Sequence, residues 1–265
     1  MAAVDWDPAQ YQRFAAERAQ PFWDLVDLIH RGAIERGVDL GCGTGTLTVS
    51  AAERLGVGHM TGIDNSPAML EVAETHGRVE VEFRYGDISR WTSDGDHDLV
   101  LANAALQWVP DHRAVLERWV AALAPEGQLA VQVPANHDHP SHLVSAEVAQ
   151  REPFRSALGG SPPPDPVVAN VLAPERYAEL LYELGIAEPH VRLQVYPHVF
   201  ESSADVVEWT RGTSLTRFFK RLPIELHEPF VEAYRDELLR RIGRHEPYFY
   251  AFKRILMWGR RQPEP

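Results

Sequence analysis

A glycine-rich stretch that begins with an aspartate is the part of the sequence best suited to hold a polar ligand. Asp39 is followed by glycines at alternate positions, Gly41, Gly43 and Gly45, and apolar residues lead into the stretch. This pattern predicts a strand, a tight turn and a helix start, because glycine lets the backbone approach a ligand closely. Nicotinamide and flavin sites space their glycines G-x-G-x-x-G, so the spacing here indicates another nucleotide-like ligand.

Two more acids follow predicted strands. Asp64 ends the second predicted strand 19 residues after Gly45, where its carboxylate can accept hydrogen bonds from two ribose hydroxyls. Asn65, the next residue, belongs to the same predicted site. Asp87 follows the third predicted strand and can accept from an adenine amino group, with Ile88 against the ring face. These acids predict the binding of a nucleoside.

The segment after the fourth predicted strand is expected to lie at the reacting end of the ligand. In an open parallel sheet, ligands bind beyond the carboxyl ends of the strands, where the strand order reverses. We therefore assign Asn103 and Ala104 to cofactor binding, and Gln107 and Trp108 to positioning of the second substrate.

The elements that must position these residues read as an alternation of strand and helix. Five such alternations occupy about 130 residues and predict a doubly wound parallel sheet of the α/β class. Alternating apolar residues at Val191–Phe200 and Tyr248–Trp258 add a sixth and a seventh strand. The prediction is a seven-stranded, mostly parallel, Rossmann-like sheet with a helical cap.

We expect one domain over residues 1–265, with an N-terminal lid at about 1–31 and cap insertions at about 135–172 and 203–246. Two helices are predicted in the lid, from about Pro8 to Glu17 and from Pro21 to Arg31. The face that carries Tyr11 and Arg18 either packs on the core or covers the cofactor.

The cap insertions carry two polar clusters. Histidines 137, 139 and 142 match no standard metal-ligand spacing, so they predict a polar loop at the substrate pocket and no metal site. Arg217, Lys220 and Arg221 lie at helical spacing, which is typical of a solvated face but also suits the binding of an anion.

The composition excludes several classes of protein. A net charge of −12 argues against a general binder of nucleic acid, which needs basic patches. Cys42 is the single cysteine, so no internal disulfide can form, and no apolar run is long enough to span a bilayer. The N-terminal residues lack the apolar core of a secretory signal, so we expect a cytoplasmic protein with no membrane partner. The sequence carries no signal for an oligomeric state.

These motifs resemble those of the class I S-adenosylmethionine-dependent methyltransferases. The wider pattern resembles the trans-aconitate 2-methyltransferase family in segments that extend nearly from end to end: Trp6 to Pro21, Gly62 to Met69, Asn103 to Pro110, Leu129 to His142, Trp209 to Leu215 and Phe252 to Arg254. Gln20 stands where that family is expected to have a second arginine, and Arg241 to Tyr250 is shorter and more aromatic. Both departures concern the cap, and so the identity of the substrate.

The resemblance implies S-adenosyl-L-methionine as the cofactor and a small polycarboxylic acid such as trans-aconitate as the methyl acceptor. A carboxylate with a reference pKa of about 4 is ionised at neutral pH, so no general base is needed and none is assigned. Catalysis then depends on alignment and on cations that hold the other carboxylates. We expect His142 to position the substrate and one of Arg211, Arg217, Lys220 and Arg254 to bind it, with Arg211 as the first candidate.

Three alternatives remain. A nucleic-acid amino methyltransferase would carry an Asp/Asn-Pro-Pro-aromatic segment after the fourth strand, whereas Asn103 to Leu106 has no proline. A C-, N- or O-methyltransferase of secondary metabolism shares the same cofactor half. A non-catalytic cofactor-binding module is disfavoured by the cap insertions, which are typical of a substrate enclosure.

Overall fold

The computed structural model describes residues 15–263, with side chains from residue 19 onward. The strands are β1 Arg36–Leu40, β2 His59–Asp64, β3 Val81–Tyr85, β4 His97–Asn103, β5 Leu123–Pro134, β6 Ile186–Phe200 and β7 Tyr248–Arg261. The α-helices are α1 Ala15–Val26, α2 Thr46–Leu55, α3 Pro67–Glu74, α4 His112–Ala121, α5 Pro140–Ala149, α6 Phe154–Ala157, α7 Pro166–Asn170, α8 Pro174–Glu183, α9 Asp205–Arg211, α10 Thr216–Phe219 and α11 His227–Ile242.

The seven strands form one sheet in the order β3-β2-β1-β4-β5-β7-β6. The pairs β1–β2, β1–β4, β2–β3 and β4–β5 are parallel, and β7 runs antiparallel to β5. The prediction of a doubly wound, mostly parallel seven-stranded sheet is therefore confirmed. The strand order reverses between β1 and β4, which places the expected ligand site at their carboxyl ends.

The register aligns the candidate residues along one edge of the sheet. Asp64 pairs with Tyr85 at the end of β2 and β3, and Asn103 pairs with Gln132 across β4 and β5. Parallel pairing with short connections brings the carboxyl ends of these strands to the same side. The central strands are apolar on both faces, with Val38, Leu99 and Val131 fully buried, as expected of a sheet covered by helices.

Helix α1 corrects one detail of the sequence-based prediction. We expected a helix to begin at Pro21, but α1 spans Ala15–Val26, with Pro21 inside it. The proline removes one backbone donor. Phe22, Leu25 and Val26, which follow the proline, are each at most 1% exposed, and burial of each large apolar side chain stabilises this part of the helix on the core by about 1.5–3 kcal/mol.

The chain divides into two compact units. The sheet unit contains the described residues up to Pro134, together with Asn170–Gln194 and the residues from Arg254 onward. The helical unit contains Ala135–Ala169 and Val195–Lys253. In the helical unit, α11 packs on α5 and α9, and its buried residues include Phe230 and Tyr234. Among the described residues, no helix has the length and apolar character needed to cross a membrane.

Candidate active site

The glycine-rich turn between β1 and α2 has the geometry that its sequence indicates. Gly41, Gly43 and Gly45 all have positive φ angles, of 88°, 56° and 73°, which favour glycine. A Cβ on Gly41 would lie 2.3 Å from the Cβ of Ala105, and one on Gly45 would lie 2.4 Å from the ring of Phe83. A Cβ on Gly43 would meet nothing within 4 Å. The turn therefore packs tightly at its two ends and leaves open space over Gly43.

Asp39 is a buried acid whose charge is only partly compensated. It is 3% exposed, and Thr48 Oγ1 donates to its Oδ2 at 2.6 Å. The other oxygen, Oδ1, is buried and has no hydrogen-bond partner in the described part of the chain. Burial raises the pKa of Asp39 to about 7, and the nearby charge of Asp64 adds to the shift. A buried carboxylate with one oxygen left without a partner is typical of a site that binds a cationic ligand.

Asp64 is held in place by backbone donors at the end of β2. The N–H of Gly43 donates to Oδ2 at 2.9 Å, and the N–H of Ser66 donates to Oδ1 at 2.8 Å. Burial raises the pKa of Asp64, although these donors oppose the shift. Each carboxylate oxygen can accept more than one hydrogen bond. Asp64 is therefore fixed in direction and can still accept from two hydroxyls, and Asn65 beside it is exposed.

A polar residue, Asp87, and an apolar residue, Ile88, follow β3. The side chain and the backbone N–H of Ser89 both donate to Asp87 Oδ1, at 2.6 and 2.9 Å, and the side-chain bond is the main cause that lowers the pKa of Asp87. Trp119 Nε1, on α4, donates to the carbonyl of Ile88 at 3.2 Å. This tryptophan is fully buried and fixes the position of the loop.

The loop after β4, defined here as residues 104–109 and named the β4 loop, has an unusual backbone. Ala104 has a φ of 52°, and Leu106–Trp108 form a 3₁₀ turn. The Gln107 side chain donates to the carbonyl of Ala104 at 2.6 Å, and its Oε1 is buried without a partner in the described part of the chain. Positive φ at a non-glycine residue costs about 1–3 kcal/mol and clusters at functional sites.

A chain of polar side chains crosses three neighbouring strands next to the β4 loop. Gln132 Nε2, on β5, donates to Asn103 Oδ1 at 2.9 Å, and Arg254 Nη1, on β7, donates to Gln132 Oε1 at 3.3 Å. Gln132 is 1% exposed and Arg254 7%. A buried guanidinium is thereby connected to the end of β4.

The remaining predicted residues fall elsewhere. Tyr11 lies outside the described residues, as does the side chain of Arg18. His142 and Arg211 belong to the helical unit, whereas the described cofactor candidates belong to the sheet unit. Arg211 forms an ion pair with Glu228 on an exposed surface. The assignments of all these site residues stay predictions.

Inside the helical unit, His142 belongs to a buried ionic cluster. His142 Nδ1 lies 2.8 Å and Arg217 Nη1 lies 3.0 Å from Asp165 Oδ2, and Arg217 Nη2 donates to Ser145 Oγ at 3.0 Å. Burial opposes the ionised form of Asp165, but His142 and Arg217 outweigh it and lower the pKa to about 2. Lys220, by contrast, is exposed. Among the described residues, no group of three or more His, Cys, Asp or Glu side chains could hold a metal ion.

Several of these contacts were missed from the sequence. Trp119 and Asp165 lie in no motif because their partners are distant along the chain, and Thr48 lies in the helix after the glycine-rich turn, nine residues from its partner Asp39. Gln132 did carry a signal, since a lone glutamine interrupts the otherwise apolar run from Leu129 to Val133. Buried polar side chains need a hydrogen-bond partner.

Comparison with known proteins identifies the family of the chain. Residues 38–127 match a family model described as a methyltransferase domain. The chain is 40% identical to a trans-aconitate 2-methyltransferase of Deinococcus radiodurans over 96% of this chain and 97% of that one. It is 37% identical to the protein of that name from Variovorax paradoxus over 97% and 96%. The solved structure of the YcgJ protein from Bacillus subtilis has a TM-score of 0.60 at 16% identity, covering 91% of this chain and 98% of that one, which bears on the fold alone.

The sheet order and the acid-lined glycine turn define a class I methyltransferase, whose cofactor is S-adenosyl-L-methionine. The full-length similarity narrows this further: the chain belongs to the trans-aconitate 2-methyltransferase family. The residues present fit the cofactor, because Gly43 leaves open space, Asp64 keeps acceptor capacity and Asp39 has a buried oxygen without a partner in the described part of the chain.

Proposed function

We propose that this enzyme methylates one carboxylate of trans-aconitate, forming a monomethyl ester. The observation in the structure that carries the proposal is the buried Arg254, which is bonded through Gln132 to Asn103 at the reacting edge of the sheet. The names of the relatives with 37–40% identity support the same acid. A guanidinium suits a carboxylate because its donors match the two oxygens in geometry and charge.

When bound, the cofactor supplies an electrophilic methyl group on a sulfonium. In this proposal Asp64 holds the ribose hydroxyls, Asp87 accepts from the adenine amino group with Ile88 against the ring, and Asp39 compensates the cofactor's positive charge. The acceptor carboxylate needs no general base, since it is already ionised at neutral pH. The contribution of the chain is then alignment of the two reactants and exclusion of water.

The four cations proposed for substrate binding differ in their surroundings. Arg211 pairs with Glu228 at the surface, Lys220 is exposed and Arg217 is bonded to Asp165 within the helical unit. Arg254 is buried and shares the sheet unit with Asn103. On this geometry we rank Arg254 ahead of Arg211 as the residue that binds a non-reacting carboxylate.

The test is transfer of labelled methyl from the cofactor into a panel of di- and tricarboxylic acids, phenols and amines. We expect trans-aconitate to be the best acceptor. The Arg254→Met replacement should lower kcat/KM for the acid by an amount equivalent to about 2–4 kcal/mol of transition-state stabilisation, because a substrate carboxylate loses its partner. Cofactor binding should stay unchanged.

Arg240→Met, which removes an exposed ion pair with Glu237, is the matched control, with an expected change of less than about twofold. If the parent enzyme methylates a phenol or an amine and ignores the acids, a methyltransferase of secondary metabolism replaces the proposal. If Arg254→Met keeps full activity on trans-aconitate, the proposed role of Arg254 is wrong.

The same proposal makes the methyl acceptor a small anionic metabolite. We also propose a cytoplasmic location and no nucleic-acid partner, on the basis of the single cysteine and the net charge of −12.

A further inference from the structure

The β4 loop is held in part by His112 and Asn170, which belong to none of the sequence motifs. Its backbone contains the strained Ala104 and a single 3₁₀ turn, so regular secondary structure satisfies few of its carbonyls. Three of them accept from side chains: Ala104 from Gln107, Leu106 from His112, and Gln107 from Asn170, the last two bonds at 2.9 Å. The conformation of the loop therefore depends on residues outside it.

His112 is the centre of this support. It begins α4, is 3% exposed, and its two ring nitrogens lie 2.9 Å from the carbonyl of Leu106 and 2.7 Å from the hydroxyl of Tyr177. Tyr177, on α8, is fully buried, and its hydroxyl oxygen accepts from the N–H of Leu172 at 3.2 Å. All of these residues belong to the sheet unit.

The partners determine where the protons lie. The carbonyl of Leu106 can only accept, so Nε2 of His112 must carry the proton and donate. Burial lowers the pKa of His112, so the ring is neutral and Nδ1 is an acceptor. The hydroxyl of Tyr177 then donates to Nδ1. The result is a chain of hydrogen bonds from Leu172 N–H through Tyr177 and His112 to the carbonyl of Leu106. In each bond of this chain the donor and the acceptor are defined.

A packing role alone does not explain this arrangement. Burying an imidazole and a phenol without partners costs free energy, and apolar side chains of similar volume fill a core equally well. The chain of hydrogen bonds instead connects α8 to one carbonyl of the β4 loop, next to Gln107 and Trp108. A loop that aligns a methyl acceptor must be held to within a fraction of an ångström, since a shift of 1 Å can cost about a hundredfold in rate.

We propose that His112 and Tyr177 are positioning residues for methyl transfer: Tyr177, together with the carbonyl of Leu106, fixes the Nε2–H tautomer of His112, and His112 holds the β4 loop in its reactive conformation. The proposal rests on the proposed function, because it takes the β4 loop to lie beside the reacting groups. Neither residue is assigned contact with the cofactor or the substrate. Asn170 supports the same loop from the carbonyl of Gln107.

The first test is Tyr177→Phe, which keeps the ring and removes the donor to His112. We expect kcat with trans-aconitate to fall about tenfold or more, while the dissociation constant of S-adenosylhomocysteine by calorimetry stays within about threefold of the parent. The ¹⁵N NMR shifts of the His112 imidazole nitrogens should move away from those of the pure Nε2–H tautomer, because the donor to Nδ1 that supports this tautomer is gone. Tyr182→Phe, on the same helix but 69% exposed, is the control and should change none of these.

The second test compares two replacements of His112. His112→Gln keeps an N–H that can reach the carbonyl of Leu106 and should restore most of the activity, whereas His112→Leu should not. A Tyr177→Phe enzyme with kcat within about twofold of the parent, or glutamine and leucine variants that lose activity equally, would overturn the proposal. If the parent fails to methylate trans-aconitate, the proposed function fails, whereas the tautomer of His112 in parent and Tyr177→Phe still tests the chain of hydrogen bonds. If His112→Leu does not fold, Tyr177→Phe decides.

Discussion

Asp39 in the sheet unit and Asp165 in the helical unit are both buried aspartates, yet their pKa values move in opposite directions. Burial raises the pKa of Asp39 from 3.8 to about 7, and the partner groups of Asp165 lower its pKa to about 2. The difference is the partner: Asp39 has a hydroxyl on one oxygen, whereas Asp165 has a guanidinium and an imidazole. Desolvation alone favours the protonated acid, and an opposite charge at hydrogen-bond distance reverses this.

The comparison separates two uses of a buried charge. The helical unit compensates its acid from within, so the cluster around Asp165 contributes to structure. In the sheet unit, Asp39 and Asp64 have raised pKa values, and no cationic side chain among the described residues compensates them, which is typical of a site completed by a ligand. A cofactor that carries a positive charge is such a ligand.

The largest expected effect on stability comes from removing the charge that compensates Asp165. Arg217→Met should lower the free energy of unfolding by about 3–5 kcal/mol, because Asp165 then remains buried without its guanidinium. Urea unfolding measures this. Arg211→Met, which removes an exposed pair, should cost under about 1 kcal/mol. Adding Asp165→Leu to Arg217→Met should recover much of the loss, and an equal cost for both arginines would contradict the comparison.

Replacing an acid of the sheet unit that lacks a compensating cation should change the affinity for the ligand. Asp64→Ala removes the proposed acceptor of two hydroxyls, at about 1.5–3 kcal/mol for each charged hydrogen bond. Affinity for S-adenosylhomocysteine should therefore fall about a hundredfold or more in calorimetry, with the thermal unfolding transition retained. Asp94→Ala, at an exposed acid, is the control. Unchanged affinity of the Asp64 variant would remove this residue from the site.

Asp39→Asn should change stability and binding in opposite directions. The folded-state pKa of Asp39 is raised, so its contribution to stability is fully present below about pH 4 and is lost as pH rises through about 7. Asparagine does not titrate and can still accept from Thr48. Relative to the parent, the variant should gain about 1–3 kcal/mol between about pH 5 and pH 8 in urea unfolding, and lose cofactor affinity. A difference in stability that does not vary with pH would show that Asp39 is not an uncompensated acid.

Local patterns in the sequence determined the fold class and the acid-lined edge. The alternation of apolar strands and helices, the glycine turn and the acids at strand ends are properties of contiguous residues, so periodicity and turn chemistry are enough to predict them. The break predicted at Pro21 was wrong: α1 spans Ala15–Val26 with Pro21 inside it, and Phe22, Leu25 and Val26 after the proline are buried.

Only the tertiary structure decided which of the polar side chains meet. The two partners are 52 residues apart in the pair of Asp165 and Arg217, 65 in that of His112 and Tyr177, and 122 in that of Gln132 and Arg254. No local spacing encodes such contacts. An aspartate beside an arginine has a structural role, whereas a buried aspartate without one is available to bind a ligand. The sequence therefore determined where acids stand along the chain, and the packing of distant elements decided which of them have a compensating charge.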